Sequence, residues 1–341
     1  MKELAQLQKS MYPDLVEQMQ QRYSILYTVL LFNPIGRRGI ITRTGLPERF
    51  VRNEISLLQQ EGFIHVGTKG VEITEEGKSI VTALQPFIHE LKGLTFLEEK
   101  LEGKMLVDKV VVVAGNSETD GTVKQELGRA AVNYLKEVIH EDATIAVTGG
   151  STMAAVANAM VPFDGINCTF VPARGGIGED VNYQANTIAA KMASAEKGDY
   201  RLLHVPDPLS EELYQTMLYE DSIKTTLDLI RNAPFIIHGI GEAFTLANKR
   251  NTSNEVIEKL IEEKAVSEAF GYYFNEDGNI VHKLRTIGLQ LEDLVGVKSV
   301  IAVAGGTSKA KAIASFMKQR KTNVLIIDEA AANEIVTKHL I

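Results

Sequence analysis

The stretch that decides the fold is AVTGGST, Ala146–Thr152, read together with its near copy AVAGGTS, Ala302–Ser308. In each, an apolar β-prone run ends in Gly-Gly and two hydroxyls, and a helix-like stretch follows. After the first it is MAAVANAM; after the second it is KAKAIASF. A strand that turns straight into a helix is half of a crossover unit, and repeated crossovers build a parallel sheet. Working outward, further short apolar runs occur at DKVVVVAG (108–115), CTFVPARGG (168–176), RLLHVP (201–206), FIIHGIG (235–241) and NVLIIDEA (323–330). Each is read as a strand. Helical stretches such as VKQELGRAAVNYLKEVI, SIKTTLDLI and SKAKAIASFMKQ separate them. The expected fold of this part is a parallel α/β sheet with helices on both faces.

Ligands in such sheets sit beyond the carboxyl ends of the strands. Glycine lets the backbone approach a ligand closely, and exposed amides at a helix start hold anions. Gly149 and Gly150 at the first exit, with the hydroxyls of Ser151 and Thr152, are therefore candidate phosphate contacts. Thr307, Ser308 and Lys309 are the counterparts at the second, and Arg174 ends a third run in PARGG. Three anion-friendly exits point to a compact ligand with more than one phosphate. A sugar also needs carboxylate and amide partners. Glu268, beside an aromatic cluster, and Arg250 in KRNTS are candidates, and Glu179, Asp180, Gln184 and Asn186 follow Arg174. Neither exit carries Gly-x-Gly-x-x-Gly or a Gly-Lys-Ser/Thr ending, which speaks against a dinucleotide or nucleoside triphosphate. NEDGN lacks the spacing of a calcium loop, and no metal or cofactor is expected.

The first seventy residues read differently. GRRGIITRTGLPERFVRNEISLLQQEGFI predicts a short helix over Arg37–Arg43, a stop at Gly45 with positive φ, and a longer helix with Pro47 near its first turn. Phe50, Ile55 and Leu58 can face inward, flanked by Val51 and Leu57. Arg49, Arg52, Asn53 and Ser56 then face outward, where Arg can read guanine edges and Asn adenine edges. FIHVGTKGVEIT adds two β-prone segments around a turn tipped by Lys69. Helix, turn, helix and hairpin in this order make a winged helix-turn-helix. Upstream, Pro13 begins a helix whose Leu15, Met19, Tyr23 and Leu26 recur as one packed stripe.

The charge agrees with that division. The chain carries a formal −8, yet residues 1–70 hold nine Lys/Arg against six Asp/Glu, so about +3, leaving about −11 for the rest. An acidic body with a small basic reader excludes a nucleic-acid coat. A single cysteine, Cys168, rules out a disulfide framework within the chain. The start has no signal core, and no apolar run approaches about 18 residues. A cytoplasmic protein without a membrane span is expected. Three segments follow: a DNA-binding domain over 1–74, a helical linker or oligomerisation segment over 75–104, and an effector-binding domain over 105–341. In the linker, Thr74 caps a helix, and Leu84, Phe87, Leu91, Leu94, Leu97 and Leu101 form an apolar face that either pairs subunits or packs on its own chain.

An enzyme is the rival reading. His204 and His238 each end an apolar run, with Asp207 and Glu242 three or four residues on. Such pairs could do acid–base work in a sugar-phosphate isomerase or deaminase that carries an appended DNA-binding arm. Both histidines are more simply structural, and no nucleophile elbow or zinc triad accompanies them.

The strings PIGRR, VRNEISLLQQEG, TGGST, VPARGGIGEDVNYQANTIAAKMA, EAFGYYFN and AVAGGTSKAKAI, spread over nearly the whole chain, resemble the SorC/DeoR-type bacterial transcriptional regulators. The resemblance implies a repressor of genes for the triose-phosphate part of glycolysis. It implies a Rossmann-like effector domain related to glucosamine-phosphate deaminases and ribose-phosphate isomerases but used for sensing. Fructose 1,6-bisphosphate would be the allosteric ligand. Gly149, Gly150, Ser151, Thr152, Arg174 and Lys309 would hold its phosphates, with Glu268 and Arg250 beside them. Operator DNA would be bound by a homo-oligomer, dimer or tetramer.

Overall fold

The computed structural model describes residues 2–105, 107–176, 180–206, 209–319 and 321–339. The chain divides into two compact units, Met1–Thr95 and Phe96–Ile341.

The first unit contains α1 (Lys2–Met11), α2 (Pro13–Leu31), α3 (Arg37–Thr44), α4 (Glu48–Gln60), the hairpin β1 (Ile64–Gly67) and β2 (Gly70–Ile73), and α5 (Glu75–Leu91). Gly45 closes α3 with φ 66°, its amide bonded to the Ile41 carbonyl, so the helix stops where only a residue free to turn left-handed stops it easily. Pro47 stands one residue ahead of α4, as its N-cap. In the hairpin Gly67 faces Gly70, which leaves Thr68 and Lys69 as a two-residue tip. Ile35 exchanges both backbone bonds with Val71 as a third, one-residue strand. Gly70 has φ 134°, and a Cβ there would meet the Ile35 backbone at 2.8 Å. Two expectations are corrected. Val51 is fully buried and central, while Phe50 is only half-buried. The inward face of α4 is Val51, Glu54, Ile55 and Leu58, a three- and four-residue spacing that leaves Phe50 at its edge. Leu15 is 61% exposed, so the packed stripe of α2 begins only at Met19.

The second unit contains α6 (Leu94–Met105, its first two residues before the division), β3 (Lys109–Val113), α7 (Gly121–Val138), β4 (Ala143–Val147), α8 (Ser151–Ala159), β5 (Cys168–Pro172), α9 (Ala185–Glu196), β6 (Asp199–Tyr200), α10 (Glu211–Tyr219), α11 (Asp221–Arg231), β7 (Phe235–His238), β8 (Gly241–Glu242), α12 (Ala243–Lys249), α13 (Asn254–Glu262), β9 (Ala265–Ala269), β10 (Tyr272–Asn275), β11 (Ile280–Lys283), β12 (Ser299–Ala304), α14 (Ala310–Met317), β13 (Val324–Asp328) and α15 (Glu329–Glu334). Seven strands form one parallel sheet in the order β3-β13-β12-β7-β4-β5-β6. The order steps outward from β4 through β5 to β6, then reverses at β7. The gap between β4 and β7 is therefore the switch point at which such sheets open a crevice. The central strands are buried on both faces, with Ile145, Val147, Ile237, Ile301, Val303 and Ile326 in one core with Leu127, Met153 and Ile188 from the covering helices.

RLLHVP is not a strand. After Arg201 donates to the Phe170 carbonyl, the Leu203 amide and carbonyl are both taken by the Asn186 side chain, at 3.0 Å each. A side-chain amide has replaced the neighbouring strand, and His204 is exposed rather than at a strand end. A four-stranded antiparallel sheet, β11-β10-β9-β8, also escaped the sequence reading. Its tight β9–β10 turn places Phe270 (φ 54°) and Gly271 (φ 84°) left-handed in succession.

The linker is two helices, α5 and α6. Thr74 caps α5 by accepting the Gly77 amide, and Gly93, at φ 72°, separates α5 from α6. Leu91, Leu94, Leu97 and Leu101 are all buried within the chain.

Candidate functional site

In the first unit, Arg49, Arg52, Asn53 and Ser56 lie on the exposed face of α4, and Lys69 is exposed at the hairpin tip. The helix is held in place from behind by a pair the sequence did not reveal. The buried Glu54 carboxylate accepts from Arg22 of α2 through Nε at 2.6 Å and through a terminal nitrogen at 3.3 Å. This two-point contact fixes α4 against α2 in direction as well as distance. On the outward face, Arg52 donates to Glu48 one turn earlier at 3.1 Å, and Arg37 lies 4.0 Å from the same carboxylate. Exposed pairs of this kind are weak enough to be exchanged for phosphate or base contacts.

In the second unit, both Gly-Gly exits leave the same edge of the sheet, one strand apart across β7. At the first, Thr148 is tied to β7: its amide donates to the Ile237 carbonyl and its hydroxyl accepts from the Gly239 amide. Gly149 packs so closely that a Cβ would lie 2.6 Å from the Tyr183 carbonyl. Gly150 takes φ 115° and donates to that carbonyl at 2.8 Å. The Ala154 amide is the first of α8 to find an acceptor, the Gly150 carbonyl. The three amides ahead of it, on Ser151, Thr152 and Met153, have no acceptor among the described residues, so this helix start offers donors to an anion. From α7, Lys124 reaches to 3.5 Å of the Ser151 hydroxyl.

The second exit is filled from within. Asp328, fully buried at the end of β13, accepts from the amides of Gly306 at 2.7 Å, Ser117 at 2.8 Å and Ala331 at 2.9 Å. Glu118 accepts from both the amide and the hydroxyl of Ser308, and Asn116 donates to the Thr307 hydroxyl at 3.2 Å. Lys309 stands in the turn that follows. Its pKa lies below the ordinary lysine value, first because of burial and then because of the nearby charges of Lys124 and Lys249, with Glu118 and Asp328 opposing. Three lysines from α7, α12 and the second exit thus share one region.

Arg174, Arg250 and Glu268 are brought together as a buried cluster. The Glu268 carboxylate accepts from Arg174 at 3.1 Å, Arg250 at 2.9 Å and the Gly271 amide at 2.7 Å. Burial pushes its pKa up, but the two guanidinium groups and the amide outweigh it and hold the carboxyl ionised, below its usual value. Arg250 also donates to the Tyr273 hydroxyl at 3.0 Å. His238 is fully buried against Phe270 and Phe316. Burial depresses its pKa to about 4, so it is neutral, and its Nδ1 contacts the Gly239 carbonyl at 3.1 Å. Glu242 caps α12 through the amides of Phe244 and Thr245. Glu179 and Asp207 lie outside the described residues. Lys124 and Glu118 were missed by sequence reasoning, because only the tertiary fold brings α7 to the two exits.

A helix-turn-helix reader joined to an α/β unit with a cationic strand-edge site defines a ligand-responsive DNA-binding regulator. Comparison with known proteins bears this out. Residues 18–88 match the family described as "CggR N-terminal DNA binding domain", and residues 89–337 match that described as "Putative sugar-binding domain". The chain is 47% identical to the central glycolytic genes regulator of Priestia megaterium and 44% identical to that of Bacillus subtilis, each over 98% of this chain and 99% of the relative. A crystal structure described as a "putative SorC family transcriptional regulator from Enterococcus faecalis" superposes with a TM-score of 0.67 at 43% identity, over 70% of this chain and 99% of that one. The chain belongs to the SorC family of transcriptional regulators, with a DNA-binding and a sugar-binding domain, and is a regulator rather than an enzyme. No helix among the described residues is long and apolar enough to cross a membrane.

Proposed function

We propose that the protein represses glycolytic genes and that fructose 1,6-bisphosphate modulates its hold on operator DNA. The observation that carries the effector half is the first exit: three amides without an acceptor among the described residues and the hydroxyls of Ser151 and Thr152, with Lys124 3.5 Å from that of Ser151 and Lys309 one strand away. One phosphate sits on Gly149, Gly150, Ser151 and Thr152, with Lys124 and Lys309 supplying charge. The second phosphate meets Arg174 and Arg250 where they converge on Glu268, while Glu268 meets sugar hydroxyls. Thr307 and Ser308 contribute once Glu118 gives way. Arg49, Arg52, Asn53 and Ser56 read bases, and Lys69 reaches the backbone. The names of the relatives, central glycolytic genes regulators, support the choice of target genes. A ligand that favours one arrangement of subunits by a few kcal/mol is enough to change DNA affinity.

The test is fluorescence anisotropy with labelled DNA from upstream of the protein's own operon and an unrelated duplex at the same salt, with and without the sugar. Sequence-specific binding that the bisphosphate alters supports the reading. Specific binding indifferent to the sugar removes the effector, and equal affinity for both duplexes removes the operator.

A further inference from the structure

The outer edge of the parallel sheet is β3, and its free side is covered by side chains of α6. β3 pairs with β13 along one side, which leaves the amides of Val110 and Val112 on the other without a strand to bond. Each donates to a carboxylate of α6 at 2.8 Å, Val110 to Glu102 and Val112 to Glu98. The two periods match. Four residues of helix rise about 6.0 Å and two residues of strand span about 6.6 Å, so carboxylates one turn apart meet alternate amides. Glu98 and Glu102 share a helix face with the buried Leu94, Leu97, Leu101 and Met105, at three- and four-residue spacing. Apolar residues at those two positions would cover the edge but leave both amides without an acceptor. The other end of β3 runs into the second exit. Just beyond it the Gly115 amide donates to Glu329 at 2.9 Å, the Ser117 amide donates to Asp328 at 2.8 Å, and Glu118 accepts from Ser308. One edge strand thus joins α6 to the second exit, and α6 is the helix by which the chain enters this unit from the first.

We infer that the seat of α6 on β3 is a two-state switch, and that it carries the state of the sugar site into the segment leading to the DNA-reading unit. The inference rests on the effector reading above. Bonds from amide to carboxylate are of the stronger kind, and both carboxylates ride on one helix. They therefore seat or leave together, and when α6 leaves, both amides go to water. An edge strand yields at less cost than a central one, because only one of its sides carries a ladder. A phosphate that takes Ser308 from Glu118 releases the end of β3, and the seat loosens at the other end. Sugar and seat then oppose each other. Linkage makes the opposition mutual: the sugar weakens the seat by the same factor by which loss of the seat strengthens sugar binding.

Hydrogen exchange on the full chain reads the seat directly. The amides of Val110 and Val112 are expected to exchange about fivefold faster with saturating fructose 1,6-bisphosphate. Glu98→Ala with Glu102→Ala is expected to bind the sugar about fivefold more tightly, and to hold operator DNA with an affinity that the sugar no longer changes. Glu98→Gln with Glu102→Gln keeps two carbonyl acceptors and is expected to keep the sugar response. A measurement without sugar separates the switch from the effector. In urea, the stability losses of the alanine pair and of Glu118→Ala are expected to sum to more than the loss of the triple variant, because all three act through β3. Additive losses would overturn the inference whatever the sugar does. So would exchange at Val110 and Val112 that ignores a sugar shown by calorimetry to bind. A chain that gives no heat of binding with the bisphosphate removes the effector alone, and the urea cycle still decides the switch.

Discussion

The two Gly-Gly exits share a sequence and differ in what occupies them. At the end of β4, Gly150 is turned to φ 115° and the amides of Ser151, Thr152 and Met153 find no acceptor among the described residues. At the end of β12, Gly306 is turned to φ 102°, yet its amide is taken by Asp328 and that of Ser308 is met by Glu118. One exit keeps its helix-start donors open among the described residues, and the other is bonded to the protein's own carboxylates. A glycine-rich turn after a strand thus frees backbone donors from the helix ladder, and the rest of the chain decides whether they are bonded internally. The comparison has a cost side as well. Orphan amides and clustered lysines are unfavourable until an anion arrives, whereas Asp328 satisfies three buried amides at once.

The largest expected effect follows from that asymmetry. Asp328→Ala leaves the amides of Gly306, Ser117 and Ala331 without an acceptor, and should lower stability in urea by about 3 kcal/mol. Ser151→Ala at the other exit removes a half-exposed hydroxyl and should change stability by less than about 0.5 kcal/mol. Similar losses for the two variants would show that the exits are not divided between stability and binding. Next in size, Lys309→Ala should weaken the sugar bisphosphate by about 2 kcal/mol, roughly thirtyfold, by calorimetry. An unchanged affinity would place the anion entirely on the first exit and sharpen the contrast rather than blur it.

What was legible before the structure tracks the range of the interactions involved. The strand–Gly-Gly–helix units could be read locally, because each is a dozen residues of apolar run, breaker and helix former. The left-handed stop at Gly45 and the Thr74 cap were legible for the same reason. RLLHVP was not, since its composition is that of a strand and only Asn186, seventeen residues earlier, diverts it. Glu118 and Asp328 were equally hidden. Their partners at Ser308 and Ser117 lie 190 and 211 residues away in sequence, so nothing in the local pattern marks which exit is filled. Arg22 and Glu54 belong with them: a charged residue on the inner face of α4 reads as an error of amphipathicity until α2 supplies its partner.

A smaller effect separates occupation from mere proximity. Glu118 is exposed and accepts from Ser308 without burial to hold it there. Glu118→Gln removes a negative charge beside the anion site and weakens the contact that fills the second exit. Fructose 1,6-bisphosphate should bind about fivefold more tightly to this variant, on the scale of one exposed charge interaction. Weaker binding would mean that Glu118 positions Ser308 for the ligand instead of competing with it.

The smallest effect is a slope against pH, and it reports on the cations alone. In the folded protein the pKa of Lys309 lies below its ordinary value of 10.5, because of burial first and the charges of Lys124 and Lys249 second. The unfolded chain therefore binds more protons than the folded chain between the lowered value and 10.5. Stability should rise with pH through that window: the penalty of a crowded, charged Lys309 is fully present below it and gone above it. A bound phosphate reverses the balance by giving the charge a partner, which raises the pKa and flattens the slope. Urea unfolding between about pH 8 and pH 10.5, with and without the bisphosphate, checks both halves, and Lys309→Met should show no such slope in either condition. A slope that persists in the methionine variant would assign the strain to Lys124 and Lys249 instead. The cationic cluster would then belong to the first exit, and the second exit would be left to its carboxylates.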